Sequence, residues 1–235
     1  MKKRRILYLL LAICLLVSGC SKTPKDKSVN ALVIHKDHRI KSTIVESFDK
    51  EYYKEEELKT SIENQINEYN SQTGQESIQL ESLKKKGKEI QLSMEYESAK
   101  DYASFNEVPL FEGTVEEAIA EGYDFSNTFQ SIKKGKVQRQ GLTSDEIKEL
   151  SDHKVVIIKE YVQVEVPKNI TAISGNMTLL NKKEAKVIQN HKKVAEDLTE
   201  SDETKDESET EEADGVPILE PNQYVASYGY ILYKE

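Results

Sequence analysis

The chain opens with a short apolar run that follows four cationic residues. Residues 6–17 are apolar apart from Tyr8, and they come directly after Lys2–Arg5. This run is too short to cross a bilayer comfortably, because a spanning helix needs about 20 apolar residues. It matches the apolar region of a secretory signal peptide, which has roughly 7 to 15 residues. The pattern therefore predicts an exported protein.

Alternation of apolar and polar residues predicts two hairpins in the first half of the chain. A period of two is typical of strands in an antiparallel sheet with one face in water. Turn residues separate the two strands of each pair. The predicted strands are Ala31–His35 and Arg39–Phe48, around Lys36-Asp37, and Ile78–Leu80 and Ile90–Tyr96, around Lys86-Gly87.

Four segments have the spacing or the caps of helices. The clearest is Tyr52–Tyr69, in which Leu58, Ile62 and Ile66 fall on one face. We expect Gly74 about one turn beyond its end. Three shorter helices are predicted at residues 100–105, at residues 115–121 between Thr114 and Gly122, and from Thr143 or Ser144 to Leu150.

The later apolar segments predict further strands. Val155–Ile158 has no polar residue, which is typical of a strand buried on both faces. Gly175-Asn176 separates Ile170–Ser174 from Met177–Leu180 and predicts a third hairpin. Residues 161–166 and 216–235 also have strand character, and we expect the last strand to close the fold. The apolar residues of segment 182–198 have helical spacing, but the sequence does not decide between a helix and a strand for this segment.

Together these elements predict the α+β fold class. We expect a mainly antiparallel sheet built from hairpins, with one long helix and several short ones. The chain lacks the strand–helix–strand repeats of a doubly wound sheet. A single domain over residues 30–235 is long enough to bury a core without disulfides.

Charge divides this domain unevenly. The formal charge is −9 for the whole chain, and −13 once the four cations of Lys2–Arg5 are removed. Glu196–Asp214 contains eleven acids and one lysine, a net charge of −10. Such a segment buries too little apolar surface to offset its ordering entropy. We therefore expect a disordered acidic insert at about residues 195–215.

The residues after the apolar run change the expected location. Leu16-Val17-Ser18-Gly19-Cys20 resembles the lipobox of bacterial lipoproteins, an aliphatic residue and small residues before an obligatory cysteine. The resemblance implies that residues 1–19 are a lipoprotein signal peptide and that the Cys20 thiol carries a diacylglyceryl group with acyl chains such as palmitate. Two long chains anchor a protein durably. We expect lipid attachment to the extracytoplasmic face of the cell membrane, with residues 20–29 as a polar tether.

The number and positions of the cysteines agree with this predicted location. Cys14 and Cys20 are the two cysteines of the chain, and the first of them lies inside the predicted signal peptide. A mature domain without further cysteine excludes disulfides, a catalytic cysteine and thiolate metal sites. Ordinary secretion and a membrane-spanning N-terminus are the alternatives to a lipoprotein signal.

Two groups of residues have side chains that could form sites and are better explained as turn residues. His35, Asp37 and His38 have metal-binding side chains, but they bracket a predicted turn, and a closed zinc site needs four ligands. We expect no metal and no cofactor. Lys84–Lys88 and Lys133–Lys136 share the sequence KKGK, and solvated turns are favoured over contacts with anionic polymer or lipid phosphate. No aromatic residues are interleaved with these lysines to suggest nucleic acid.

Tyrosines at the end of the chain are the candidate partner-binding residues. Tyr224, Tyr228 and Tyr230 are predicted on one face of the last strand, with Tyr233 on the other. Such a face can stack on sugars or on a peptide, although half-exposed aromatics are also common in sheets. Catalytic motifs are absent from the sequence, and the acidic segment does not match the EF-hand pattern.

The exported part resembles uncharacterised lipoproteins of low-GC Gram-positive gut anaerobes. The resemblance rests on Ile44–Tyr53 and on Met94–Asn106, and it implies a location without a mechanism. We expect a non-enzymatic binding or accessory protein, whose partner is another envelope protein or a cell-wall polymer. An envelope hydrolase with an unrecognised site and a solute-binding lipoprotein of a transporter are the alternatives.

Overall fold

The computed structural model describes residues 29–188 and 227–234. In these residues it contains thirteen strands and four helices, which confirms the α+β fold class. The strands are β1 (Ala31–Ile34), β2 (Ile40–Ser47), β3 (Ile78–Lys86), β4 (Glu89–Tyr96), β5 (Leu110–Thr114), β6 (Phe129–Lys133), β7 (Lys136–Leu142), β8 (Lys154–Ile158), β9 (Gln163–Glu165), β10 (Ile170–Ser174), β11 (Met177–Leu179), β12 (Glu184–Val187) and β13 (Gly229–Tyr233). The helices are α1 (Glu55–Thr73), α2 (Ala99–Asn106), α3 (Val115–Ala120) and α4 (Ser144–Lys148).

The strands form two sheets. The first sheet has seven strands in the order β11-β12-β9-β1-β2-β4-β3, and the second has six in the order β5-β8-β13-β10-β6-β7. All pairs in both sheets are antiparallel except β1 with β9. The β1–β2 and β3–β4 hairpins are those that the alternation of residues predicts.

The second sheet is the middle layer of the molecule. On one face it shares a core with the first sheet, α1 and α2, and on the other face α3 and α4 cover it. Successive residues of β13 alternate between these cores, since Ile231 and Tyr233 belong to the first and Tyr230 and Leu232 to the second. β13 therefore lies at the centre of the fold, as expected for the closing strand.

Side chains cap the N-termini of α2, α3 and α4, whereas α1 begins without a side-chain cap. Thr114 caps α3 and Thr143 caps α4, each in a capping box with the glutamate three residues later. The prediction for α1 is wrong at both ends, because the helix begins at Glu55 and continues to Thr73. Gly74 follows directly with φ of 72°, and its N–H donates to Asn70 O, which ends the helix.

The third predicted hairpin is wrong. β10 pairs with β6 and β13 in the second sheet, whereas β11 pairs with β12 in the first sheet. At Gly175-Asn176 the chain thus passes from the second sheet to the first. In residues 182–198, where the sequence left helix and strand open, residues 184–187 form the strand β12. The residue pattern did not predict the strands β5, β6 and β7.

Several predictions concern residues outside the described part of the chain. These are the signal peptide, the tether up to residue 28, the acidic insert, Cys20 and Tyr224. They stay predictions.

Candidate functional site

The ends of four neighbouring strands of the second sheet form one rim. Gly229 of β13 faces Ile158 of β8, which brings Tyr228 beside Lys159. The Gly175 N–H, just after β10, donates to Thr128 O, just before β6, over 2.7 Å. Loop residues that are far apart in sequence meet here because their strands are hydrogen-bonded neighbours.

Asn176 holds the base of this rim together. Its Nδ2 donates to Ser227 Oγ at 3.0 Å and to Tyr228 O at 3.0 Å, and its Oδ1 accepts from Ser174 Oγ at 2.6 Å. Ser174 Oγ in turn accepts from the Tyr230 N–H at 2.9 Å. Since both ends of the Asn176 amide are occupied, its role is to position the start of β13.

The opposite wall contains an ordered carboxylate. Asp124 accepts hydrogen bonds from the Ser126 N–H at 2.8 Å and the Ser126 hydroxyl at 2.5 Å, and these bonds lower the pKa of its carboxyl. The Tyr230 hydroxyl donates to Asp124 O at 2.7 Å. Burial, followed by the charge of Asp124, raises the pKa of Tyr230 to about 12. Around neutral pH this wall therefore carries an anionic carboxylate and a neutral phenol.

Tyr228 is the aromatic residue of the rim that remains partly accessible. Its ring meets Tyr123 edge to face at 5.7 Å between centroids, and Lys159 Nζ lies 5.4 Å from the Tyr228 centroid. Aromatic and cationic groups in this arrangement attract each other. Burial, and then the neighbouring Tyr228, raise the pKa of Tyr123.

These residues enclose an open cleft of about 640 Å³, which we call the tyrosine cleft. Its wall combines a carboxylate, a lysine, amides, hydroxyls and an aromatic ring, groups that bind a hydroxyl-rich ligand by hydrogen bonds and ring contact. Among its lining residues there is no histidine or cysteine to form a nucleophile–base pair. The lining consists of Asp124, Asn127, Thr128, Lys159, Gly175, Asn176, Ser227, Tyr228 and Tyr230.

The predicted partner-binding tyrosines have different positions. Tyr228 and Tyr230 both line the cleft, while Tyr224 lies outside the described residues. The Tyr230 ring is buried against Phe125 and Phe129 and is not an exposed stacking surface. Partner binding by these tyrosines stays a prediction. The cleft residues Asp124 and Lys159 were not predicted as site residues, although the Asp-x-Ser spacing of Asp124 and Ser126 is a recognisable turn signal.

The side chains of His35, Asp37 and His38 do not come together as a metal site. Asp37 pairs with Arg39, whereas His38 Nδ1 lies 2.8 Å from Glu112 Oε2 on β5. His35 Nε2 is buried and has no hydrogen-bond partner among the described residues. Within residues 29–188 and 227–234 no three potential ligands form a group.

His38 instead joins the two sheets through a carboxylate. Glu112, whose side chain is 7% exposed, contacts His38 and accepts a hydrogen bond from the Tyr233 hydroxyl at 3.1 Å. The His38 side chain is 51% exposed. A carboxylate–histidine pair orients a base in hydrolases that also supply a nucleophile. The hydrogen bonds of this cluster link the β1–β2 turn to the edge strand β5, which is a structural role.

A second hydrogen-bonded carboxylate lies at the edge of the core, where Tyr102 is buried and Glu160 is half-buried. The Tyr102 hydroxyl donates to Glu160 Oε2 at 2.7 Å. Burial raises the pKa of Glu160, and burial together with the Glu160 charge raises the pKa of Tyr102. Neither residue lines the tyrosine cleft. The shifted pKa values of Tyr102 and Glu160 therefore arise from burial away from the cleft.

The two KKGK segments form hairpin turns. Lys84–Lys88 leads from β3 into β4 and Lys133–Lys136 leads from β6 into β7, so both segments lie at turns, as the sequence predicts. We call Lys84, Lys85, Lys86 and Lys88 the lysine tip. All four are exposed.

The fold and the cleft define an α+β protein with two mainly antiparallel sheets and a polar, partly aromatic cleft. No helix within the described ranges is long and apolar enough to span a membrane. Neither a family model, nor a curated protein, nor a solved structure matches the chain.

Proposed function

We propose that the chain is a lipoprotein held to the extracytoplasmic face of a bacterial cell membrane, and that its domain is a non-enzymatic binding module. The anchor rests on the lipobox at residues 16–20, where an aliphatic residue, small residues and Cys20 follow a cationic start and a short apolar run. Two acyl chains on one cysteine supply durable membrane attachment.

The anchor is tested by replacing Cys20 with serine in the full chain. We expect wild-type protein in the membrane fraction and the Cys20→Ser protein unlipidated and at least tenfold depleted from that fraction after a high-salt wash. Mass spectrometry of the purified wild-type protein should find diacylglyceryl on a mature chain that starts at Cys20.

Cys14 supplies a matched control for this experiment. Cys14→Ser removes the other cysteine of the chain and should leave processing and membrane attachment unchanged. Wild-type protein without lipid would contradict the anchor, as would a Cys20→Ser protein that has lost residues 1–19 and still stays attached after the wash.

The binding role rests on the tyrosine cleft, and its proposed partner is a cell-wall polymer. The cleft offers Tyr228 beside Lys159 together with the side chains of Asn127 and Thr128. Sugars present hydroxyls to amides and C–H faces to aromatic rings, while Lys159 suits an anionic substituent of the polymer. The open form and the mixed wall of the cleft support binding in preference to acid–base catalysis.

Tyr228→Ala tests the cleft. We expect a loss of about tenfold in affinity for purified cell-wall material in a sedimentation assay, which corresponds to about 1.4 kcal/mol of ring contact. Tyr228→Phe should retain most of the affinity because it keeps the ring. Tyr52→Ala, on a tyrosine outside the cleft, is the control and should bind as wild type. Equal affinities of folded wild-type and Tyr228→Ala protein would refute this site.

A further inference from the structure

The chain leading to the predicted anchor leaves the domain beside the β3–β4 turn. The Val45 N–H donates to Asn30 Oδ1 over 2.8 Å, which fixes the start of the described chain against β2. Two residues further along β2, Ser47 faces Glu89 of β4, and Glu89 faces Lys86 of β3. With strand spacings of about 4.8 Å and a rise of about 3.4 Å per residue, Asn30 lies roughly 15 Å from this turn.

The lysine tip is a cationic surface that no acid among the described residues neutralises by an ion pair. Lys86 Nζ donates to Gln91 Oε1 at 2.9 Å. Residues 84–89 carry four lysines and Glu89, a net charge of +3. Asp49 and Glu51 on the adjoining loop and Glu55, Glu56 and Glu57 at the start of α1 reduce this charge, while Lys50 and Lys54 add to it.

Aromatic residues stand next to these lysines. The Phe48 N–H donates to Lys88 O at 2.6 Å, and Lys85 Nζ lies 5.2 Å from the centre of the buried Phe48 ring. Tyr53 stacks on Phe48 at 5.1 Å, and Tyr52 meets Tyr53 edge to face at 4.8 Å. Tyr52 is 72% exposed. An exposed tyrosine beside lysines is typical of protein surfaces that meet lipid headgroups.

From this arrangement we infer that the lysine tip and Tyr52 rest on anionic phospholipid headgroups and orient the domain on the bilayer. This inference rests on the proposed lipid anchor. Residues 20–29, fully stretched, reach at most about 35 Å, so the anchor holds the tip close to the membrane and raises its local concentration there. Lysines close to an anionic leaflet strengthen binding about fivefold each.

The other KKGK turn lies at the opposite end of the first sheet. Gly135 is packed against the Lys182 side chain. Two residues later, Glu184 faces Glu165 of β9, and Glu165 faces Val33 near the end of β1. Asn30 and the lysine tip are at the other end of these strands. Lys133–Lys136 is therefore a control with the same residue types and a different expected orientation.

Vesicle binding of the unlipidated mature chain tests the tip separately from the anchor. The protein is residues 20–235 with Cys20→Ser, and the probes are vesicles of phosphatidylcholine with and without 30% phosphatidylglycerol, a composition on the order used for anionic leaflets. We expect binding to the anionic vesicles alone. Replacing Lys84, Lys86 and Lys88 with glutamine should weaken it about hundredfold, while Lys85 is kept because it packs on Phe48.

The matched variant carries glutamine at Lys133, Lys134 and Lys136. It has the same net charge as the tip variant and should bind within about twofold of wild type, since these lysines face away from the bilayer. Equal losses in both variants, or no binding of the wild-type chain, would overturn the inference. Binding that appears only after the acids of residues 196–214 are changed to asparagine or glutamine would also overturn it, because the chain's own acids would then occupy the tip.

A second measurement uses the lipidated protein. A fluorophore on Tyr52→Cys should be quenched by headgroup-labelled lipid at least threefold more than one on Lys36→Cys, which lies in the β1–β2 turn at the other end of the sheet. Equal quenching of protein that is acylated at Cys20 would refute the orientation and leave the anchor standing. Loss of the anchor alone would leave vesicle binding by the unlipidated chain unchanged.

Discussion

At the scale of single residues, Glu160 is a carboxyl whose burial makes its ionisation unfavourable for stability. Its carboxyl accepts from the Tyr102 hydroxyl, and burial raises its pKa above the ordinary value of 4.5. Below that value both folded and unfolded chains hold the proton. As pH rises, the unfolded chain releases the proton first, so Glu160 lowers the free energy of unfolding until the folded group also ionises.

Glu160→Gln should therefore stabilise the protein at neutral pH. Glutamine keeps an oxygen that accepts from Tyr102 and removes the charge that burial disfavours. Thermal unfolding should show a higher midpoint for the variant at pH 7 and no advantage well below pH 4.5. Glu116→Gln, at an exposed position of α3, is the control and should change little at either pH. A lower midpoint for Glu160→Gln at pH 7 would contradict this account.

The sequence did not predict hydrogen bonds such as the one between Tyr102 and Glu160, because these bonds depend on how the layers of the fold pack. Tyr102 and Glu160 are 58 residues apart, and His38 and Glu112 are 74 residues apart. The periodicity of strands and helices reports which face of an element is buried, but it does not report which residue of another layer lies opposite. The sequence thus identified Tyr228 of the cleft and missed Lys159 beside it.

At the scale of elements, the successful predictions were those that local chemistry decides. The β1–β2 and β3–β4 hairpins combine alternating strands with turn residues, and Thr114 and Thr143 cap helices through contacts within three residues. Gly175-Asn176 shows the limit of this approach. A turn signal between two strands reports a change of direction, and here the chain moves from the second sheet to the first.

The missed strand β7 shows one reason why the residue pattern fails. β7 (Lys136–Leu142) is an edge strand whose residues are mostly exposed, so neither alternation nor an apolar run marks it. Its pairing with β6 stabilises it, although the local pattern of β7 does not predict a strand. Charged, exposed edge strands of this kind also discourage pairing with other chains.

At the scale of the whole molecule, Asn30 near the start of the described chain, the lysine tip and the tyrosine cleft share one end. The Ile188 N–H donates to Asn176 O beside the cleft, and Lys186 faces Gln163, which faces Ala31 at the start of β1. With this end on the bilayer, the cleft opens near the membrane surface. The proposed wall polymer would therefore be bound close to the membrane rather than in the outer layers of the wall.

The segment between β12 and β13 starts and ends at nearly the same point of the domain. Ile188 and Ser227 both hydrogen-bond to Asn176, so the two ends of residues 189–226 are close together. The acidic composition of residues 196–214 predicts that this part contributes no core, and β13 begins only at Gly229, beyond the end of the segment. A six-residue Gly/Ser linker in place of residues 189–226 should then preserve the fold and stabilise it by roughly 1.5 kcal/mol, because a shorter loop costs less entropy to close.

Chemical denaturation of three proteins tests this expectation. The second variant carries a Gly/Ser linker as long as residues 189–226, which removes the charges but keeps the loop length. If loop length governs the gain, the short linker alone should raise the free energy of unfolding. If mutual repulsion of the acids governs it, both linkers should raise it equally and added salt should reduce the difference from wild type. A fall in stability with both linkers would show that residues 189–226 pack on the domain, because only then does removing them expose apolar surface that the wild-type chain buries.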